Sequence, residues 1–463
     1  MANEELKRFS TIQLLNFCIG FFGLQFAWQM RIILSGPVTS ELGADPFIFG
    51  LIWLAGPVTG IVVQPIIGAL SDTTHTRFGR RLPYLIGGAI LSAIALVLFP
   101  YSGKIATLFG PDAPVWTGLL IAAILVWVLD ACVNAAQGPY RALVPDNIPK
   151  EQHAEANSYL SFAIGLGSVI AAGTAPFLKW AFDIQMSIPA QFIMAAIAFF
   201  GAVVWTCMTI KERKIAKAEA PKASKKGEKE DKKSFFAVVK EFFALSPEVT
   251  KICVIQFFSW IGIMCMFINF TNYVIHIMLK VPNLTLLDEA ARLTYTNTMT
   301  EGGLFAGWCF AAFNLVCFIV AIPIGKLAAK YGNKNIHFLA MTSMAIAYLI
   351  IAFGGPISQW YVIGAMALAG IGWASVLALP FAMFSKYIKP GTEGSIMGVF
   401  NIFIAAPQIL VCTVIAWVIR QAIFEMDGYT YNHWEYAFFI GAAMLIGAAI
   451  STLTIKEEKA TAK

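Results

Sequence analysis

The stretch LIWLAGPVTGIVVQPIIGALSDTTHTRFGRRLPYLIGGAILSAIALVLFPY (Leu51–Tyr101) decides how this chain must be read. One apolar run ends at Leu70. A short polar loop follows, carrying Asp72, Arg77, Arg80 and Arg81, and a second apolar run begins at Pro83. Each run is close to the roughly 20 residues that a helix needs to cross the hydrocarbon core of a bilayer. Neither alternates apolar with polar residues as a barrel strand does, so helices that satisfy their own backbone are the sensible reading. To either side of this pair, comparable runs lie near 11–36, 47–70, 83–101, 116–142, 157–181 and 188–210. After a polar gap they return near 250–279, 302–328, 335–354, 358–385, 395–422 and 434–455.

Composition agrees. Of 463 residues, 58% are hydrophobic and 13% are charged, against roughly 25% charged in a soluble domain. A water-soluble fold could not hide that much apolar surface. The net charge of +6 does not point to nucleic acid, because the basic residues sit in loops between apolar spans. The expected fold is all-α and integral to the membrane, with twelve transmembrane helices in two six-helix bundles. The expected domains are an N-terminal bundle (1–210), a linker (211–249) and a C-terminal bundle (250–463). The linker sequence KERKIAKAEAPKASKKGEKEDKKS is solvated in this reading. FFAVVKEFFAL (Phe235–Leu245) then reads as an amphipathic helix on the membrane surface. The start MANEELKRFS is polar and leads into a run too long for a cleaved signal, so that run is kept as the first helix.

Lys and Arg set the orientation. With a cytoplasmic N-terminus, the inside segments hold Lys7, Arg8, Arg77, Arg80, Arg81, Arg141, Lys150, the linker lysines, Lys326, Lys330, Lys334, Lys386, Lys389 and the tail lysines. The outside keeps only Lys104, Lys179, Lys280, Arg292 and Arg420. Both termini are therefore expected in the cytoplasm of a plasma membrane, the inner membrane if the source is bacterial. The eight Cys (18, 132, 207, 253, 265, 309, 317, 412) form no CxxC pair and no metal cluster with His. They read as small packing residues, and no cofactor or metal is expected.

The halves echo each other. GALSDTTHTRFGRR (Gly68–Arg81) follows the second helix and GKLAAKYGNK (Gly325–Lys334) follows the eighth. Such internal repeats mark secondary transporters with a solute site near the midplane. The first loop resembles the major facilitator signature, in which the loop between helices two and three acts as a cytoplasmic gate. Asp72, Arg77, Gly79, Arg80 and Arg81 fit it, and the second copy lacks the acid.

A narrower resemblance, to the plant sucrose carriers and their animal relatives, runs through GLQFAWQM (Gly23–Met30), Leu51–Asp72, RFGRRLPY (Arg77–Tyr84) and LDACVNAAQGPYRALVPD (Leu129–Asp146). It continues through LALPFAMFSKY (Leu377–Tyr387) and GSIMGVFNIFIAAPQILV (Gly394–Val411). This resemblance implies a carrier of α-glucosides such as sucrose or maltose, with protons as the co-substrate, working as a monomer. The chain departs where those carriers place paired acids in helix seven: INFTNYVIH (Ile268–His276) has Phe270 and Asn272 there. It also carries Arg31 where relatives show Gln or Glu.

Ionisable residues inside spans are costly, so each needs a reason. Asp130 is mid-span in helix four. Arg141 lies on the same face, about 16 Å along an ideal helix. Asn134 and Gln137 lie between them, with Gly138 and Pro139 expected to bend the helix. Asp130 and Arg141 are the expected proton-coupling pair, although a packing network would use the same residues. Helix one presents Gln25, Trp28, Gln29 and Arg31. Trp28 suits a sugar ring or simple packing, and Arg31 is expected to snorkel outward or pair with Glu41 or Asp45. Asn269, Asn272, Asn314, Trp373, Asn401 and Gln408 are the substrate candidates in the C-terminal half. Of the five His (75, 153, 276, 337, 433), only His276 is placed in a span, and packing suits it better than a proton site. A sodium-coupled sugar symporter would show acids in helix two, and none lies between Phe47 and Leu70. A membrane enzyme would need a clustered nucleophile and base, which are not visible. A non-transporting sugar sensor would carry a long soluble tail, and few residues follow Thr454.

Overall fold

Helix starts are written in the sequence as caps. The Ser10 hydroxyl accepts from the Gln13 N–H, and the Gln13 side chain accepts from the Ser10 N–H, which opens α1 (Thr11–Glu41). Asp45 accepts from the Phe47 and Ile48 N–H groups, both at 2.9 Å, at the start of α2 (Pro46–Trp53). After α2 the chain continues as α3 (Ala55–Thr73), α4 (Leu82–Leu98), the short α5 (Ser102–Ala106), α6 (Thr117–Asn147), α7 (His153–Phe182) and α8 (Ile188–Thr209). The later helices are α9 (Pro247–Tyr273), α10 (Glu289–Tyr331), α11 (Asn333–Gly354), α12 (Gln359–Ser385), α13 (Glu393–Leu410), α14 (Ala416–Gln421) and α15 (Tyr436–Leu453). This computed structural model describes residues 8–74, 76–110, 114, 116–210, 212, 240, 242–282, 289–387 and 393–456.

Among the described residues, twelve helical segments are long and apolar enough to cross a membrane, six before the central gap and six after it. The expected spans recur with ends shifted by a few residues. Two π-turns, Val274–Met278 and Val411–Ile415, extend α9 and α13.

Packing divides the chain into two units. One comprises Met1–Ala44 with Ala55–Lys229, and the other Asp45–Leu54 with Glu230–Lys463. The division differs from the expected boundary by the segment Asp45–Leu54. That segment packs with the second unit: Asp45 pairs with Arg420 at 3.0 Å, Phe49 meets the Trp434 ring edge-on, and Gly50 lies against the Cys412 carbonyl. In the first unit α1 packs on α7 and α8, and α6 packs on α3 and α4. In the second, α12 packs on α10 and α11, and α15 on α9 and α11.

Burial identifies the central helix of each unit. In α1 and in Pro247–Met278, 78% of the apolar window is buried, against 39% in Pro46–Thr73 and Thr117–Leu143. The less buried spans turn Ile61, Val62, Ile66, Ile90, Leu91 and Ile94 outward, as lipid solvation permits. All eight cysteines are free and buried or half-buried, in keeping with packing roles.

The all-α membrane fold stands, with one short addition and two local changes. First, Ile423–Met426 (β1) pairs antiparallel with Tyr429–Asn432 (β2). The turn between these strands, Asp427-Gly428, has both φ values positive, 52° and 80°, as a tight hairpin requires. Second, His337 also lies in a span, inside α11. Third, Phe235–Leu245 falls largely outside the described residues, but its Phe242 is fully buried against Phe384, Val399 and Phe400. That ring packs on the second unit's bundle.

Close helix contact depends on glycine where α1 crosses α8. A Cβ at Gly23 would sit 2.7 Å from the Ala198 carbonyl oxygen and 2.6 Å from the Ala202 Cβ. Gly201 on α8 is exposed, with no atom near its missing Cβ. Gly23→Ala is therefore expected to lower the melting temperature in detergent, at a cost of about 1–3 kcal/mol from overpacking. Gly201→Ala should be neutral or stabilising by up to about 1 kcal/mol, because alanine is the better helix former. Equal losses from both substitutions would count against this packing.

Candidate functional site

Arg31 on α1 and Asp130 on α6 form a buried ion pair, Nη2 to Oδ2 2.8 Å, with side chains 3% and 6% exposed. The sequence expectation for Arg31, snorkelling or pairing with Glu41 or Asp45, is corrected here: its partner is Asp130, and Asp45 pairs with Arg420. Two charges in a low-dielectric site are tolerated as a pair, whereas either alone is costly. Gln25 and Trp28 are half-buried on the same helix, and Gln29 is buried. Arg141 lies three turns beyond Asp130 with its side chain exposed. Among the described residues no carboxylate lies within ion-pair distance of it, so the cation beside Asp130 is Arg31 and not Arg141.

Helix α3 supplies polar groups that sequence reading passed over. The Asn134 Nδ2 donates to the Thr59 Oγ1 at 2.9 Å and to the Asp130 carbonyl at 3.0 Å. The Gln64 Nε2 donates to the Gln137 Oε1 at 3.0 Å. The available signal was the spacing: Gly56, Thr59, Gly60 and Gln64 fall at i, i+3, i+4 and i+8, one face of a helix.

The loop between α3 and α4 is braced by acids from two other helices. Arg81 bonds Asp72 on α3, the Ser71 hydroxyl, and Asp146 on α6 at 3.1 Å. Arg80 reaches the same Asp146 at 2.6 Å. Glu212, just beyond α8, accepts from the backbone N–H groups of Arg80 (2.9 Å), Arg81 (2.9 Å) and Leu82 (3.2 Å), capping α4. Gly79 has φ +110°, and a Cβ there would collide with the Glu212 carboxylate. Only glycine meets both conditions. Arg77 lies over the exposed Phe78 ring at 4.6 Å, outside this brace. Asp146 and Glu212 were not singled out from sequence. An acid ending α6 in a chain with a basic loop was the signal for Asp146.

Asn269 and Asn314 donate to their own helix carbonyls, Cys265 at 2.9 Å and Phe310 at 2.8 Å. Asn272 is buried, Asn401 is exposed, and the Gln408 Nε2 donates to the Ile404 carbonyl at 3.1 Å. Trp373 is half-buried within an aromatic group, its ring 5.8 Å from Trp260 and 5.3 Å from Phe267. His276 stacks on Trp434 and bonds the Val281 carbonyl at 2.7 Å, which suits packing. His337 is fully buried and bonds the Ser375 hydroxyl at 2.8 Å. His75 lies outside the described residues. The described residues hold no group of three or more metal-type ligands.

Comparison with known proteins adds the following. The family model described as Major Facilitator Superfamily matches residues 17–412 and 303–463. The general alpha-glucoside permease of Schizosaccharomyces pombe is 25% identical, over 90% of this chain and 88% of its own length. A sucrose transport protein of Arabidopsis thaliana is 26% identical, over 84% of this chain and 80% of its own. Among solved structures, a D-xylose-proton symporter superposes with a TM-score of 0.63 at 15% identity, covering 96% of this chain and 98% of that one. At that identity the likeness concerns the fold.

The brace ranks its two acids. Asp146 is 17% exposed and holds two arginines, while Asp72 is 49% exposed and holds one. Asp146→Asn should cost about 1–3 kcal/mol of stability, because it takes the carboxylate from Arg80 and leaves Arg81 with Asp72 alone. Asp72→Asn should cost no more than about 1 kcal/mol, as exposed pairs do. Melting curves of the two purified variants check this, and a larger loss from Asp72→Asn would refute the ranking.

Proposed function

We propose that this chain, which belongs to the Major Facilitator Superfamily, is a proton-coupled symporter that imports an α-glucoside disaccharide of the sucrose or maltose class by alternating access. Membership of a transporter family sets the enzyme class aside, and relatives named for alpha-glucoside and sucrose transport support the solute class. The observation that carries the coupling is the buried Arg31–Asp130 pair, set among the carboxamides and half-buried Trp28 of the first unit.

The chemistry runs as follows. A neutral disaccharide offers hydroxyls that donate and accept, and apolar ring faces that stack on an indole. Gln25, Gln29, Asn134 and Gln137 offer matching groups, and Trp28 the face. Asn269, Asn272, Asn314, Trp373, Asn401 and Gln408 remain candidates from the second unit. While Asp130 is ionised, Arg31 holds it. A proton on Asp130 cancels that attraction and frees the guanidinium to donate to a sugar hydroxyl. Sugar and proton then favour each other's binding, as a coupled pair must. In this reading Arg31 supplies the counter-charge, and Arg141 is a second, more distant cation on the route. The loop carrying Asp72, Arg77, Gly79, Arg80 and Arg81 is the cytoplasmic gate. Both termini face the cytoplasm of a plasma membrane, bacterial inner membrane included, and the monomer is the working unit.

Proteoliposomes loaded with neither sugar nor proton gradient provide the test. An imposed inward pH gradient should drive accumulation of labelled sucrose or maltose, and uptake should fall as external pH rises. Asp130→Asn should abolish that accumulation yet keep sugar exchange. Arg31→Ala should impair it more than Arg141→Ala. Accumulation driven by sodium alone, or an Asp130→Asn carrier that still concentrates sugar under a pH gradient, would overturn the coupling. The solute class is tested separately: millimolar sucrose or maltose should raise the melting temperature of the purified protein, since a ligand of the folded form stabilises it.

A further inference from the structure

We propose that α3 forms a second wall of the sugar site, with Gln64 contacting a sugar hydroxyl directly, Thr59 positioning Asn134, and Gly56 leaving room beside the Asp130 carboxylate. The proposal rests on the α-glucoside reading above.

The geometry is a pair of stripes in register. On α3 the residues are 56, 59, 60 and 64, and on α6 they are 130, 134, 137 and 138. A Cβ at Gly56 would lie 3.5 Å from the Asp130 Oδ2, and one at Gly60 would lie 3.7 Å from the Asn134 Oδ1. A Cβ at Gly138 would lie 3.5 Å from the Gln64 carbonyl oxygen. Each step of about one turn on α3 meets a step of about one turn on α6. Gly56, Gly60, Gln64, Asn134 and Gln137 are all half-buried, so the seam between the helices is a narrow, partly exposed groove edged by glycines.

The hydrogen bonds leave particular groups on offer. Thr59 donates its hydroxyl proton to the Ala55 carbonyl at 2.6 Å, so towards Asn134 it can only accept. The Asn134 amide then spends both protons, one on Thr59 and one on the Asp130 carbonyl. Its Oδ1 remains as an acceptor beside Gly60. The Gln137 Oε1 is taken by Gln64, which leaves the Gln137 Nε2 as donor and the Gln64 Oε1 as acceptor. Acceptor, donor and acceptor therefore follow one another along the groove below Asp130. A row of sugar hydroxyls, each able to donate and accept, complements that order. A purely apolar or a polyanionic ligand does not.

The test uses binding of a glucoside panel in which one hydroxyl at a time is replaced by hydrogen, measured on full-length purified protein. Gln64→Ala should weaken the parent α-glucoside about tenfold, the scale of one lost hydrogen bond. It should add no further loss for the single deoxy analogue that lacks the contacted hydroxyl. Thr59→Val should weaken binding by a similar factor, and Thr59→Ser should restore it. Gly56→Ala should raise the KM for sugar while the melting temperature of the sugar-free protein stays put. Equal weakening of every analogue by Gln64→Ala, or no weakening at all, overturns the wall while leaving the α-glucoside reading intact. Failure of the wild-type protein to bind any α-glucoside overturns that reading, and the wall with it.

Discussion

A hydrocarbon solvent offers no hydrogen bonds, so every polar group inside it must find a partner within the protein. The rest of this structure follows from that constraint. It explains why Ser and Thr in the spans repeatedly donate to a carbonyl one turn back, as Thr39, Thr174 and Thr452 do. It also explains why the buried charges of the first unit occur in opposition. Arg31 would be costly against lipid and is tolerable against Asp130. The same demand shapes the loop between α3 and α4, where three acids answer two arginines and the first N–H groups of α4.

The polar groups are also unevenly shared. In the first unit, α1, α3 and α6 bring a charge pair and four carboxamide or hydroxyl groups to neighbouring faces. In the second unit several asparagines turn back on their own helices, and the interior is built from rings around Phe267, Phe310 and Trp373.

Most of the fold was legible because lipid imposes a length. Apolar runs near 20 residues separated by basic loops leave little room for other readings, and the caps at Ser10 and Asp45 mark helix starts in plain sequence. The hairpin was legible too, through Asp427-Gly428, but its two four-residue strands are faint beside apolar spans of about 20 residues. The site was legible in part. Asp130, Asn134 and Gln137 stand out as polar residues in an apolar helix. The partner of Arg31 does not, because sequence distance gives no hint that α1 and α6 place these two groups 2.8 Å apart. Thr59 and Gln64 were missed for a related reason. A single hydroxyl or amide in a span is ordinary, and it gains meaning only when a second helix sets another beside it.

The contact between Glu212 and the start of α4 has a mechanical side. One carboxylate beyond α8 bonds three consecutive N–H groups, and a glycine at residue 79 lets it come close. The chain just beyond α8 and the first turn of α4 are thereby tied through one side chain. A pull on the chain at residue 212 would therefore load the start of α4 directly, through that one side chain.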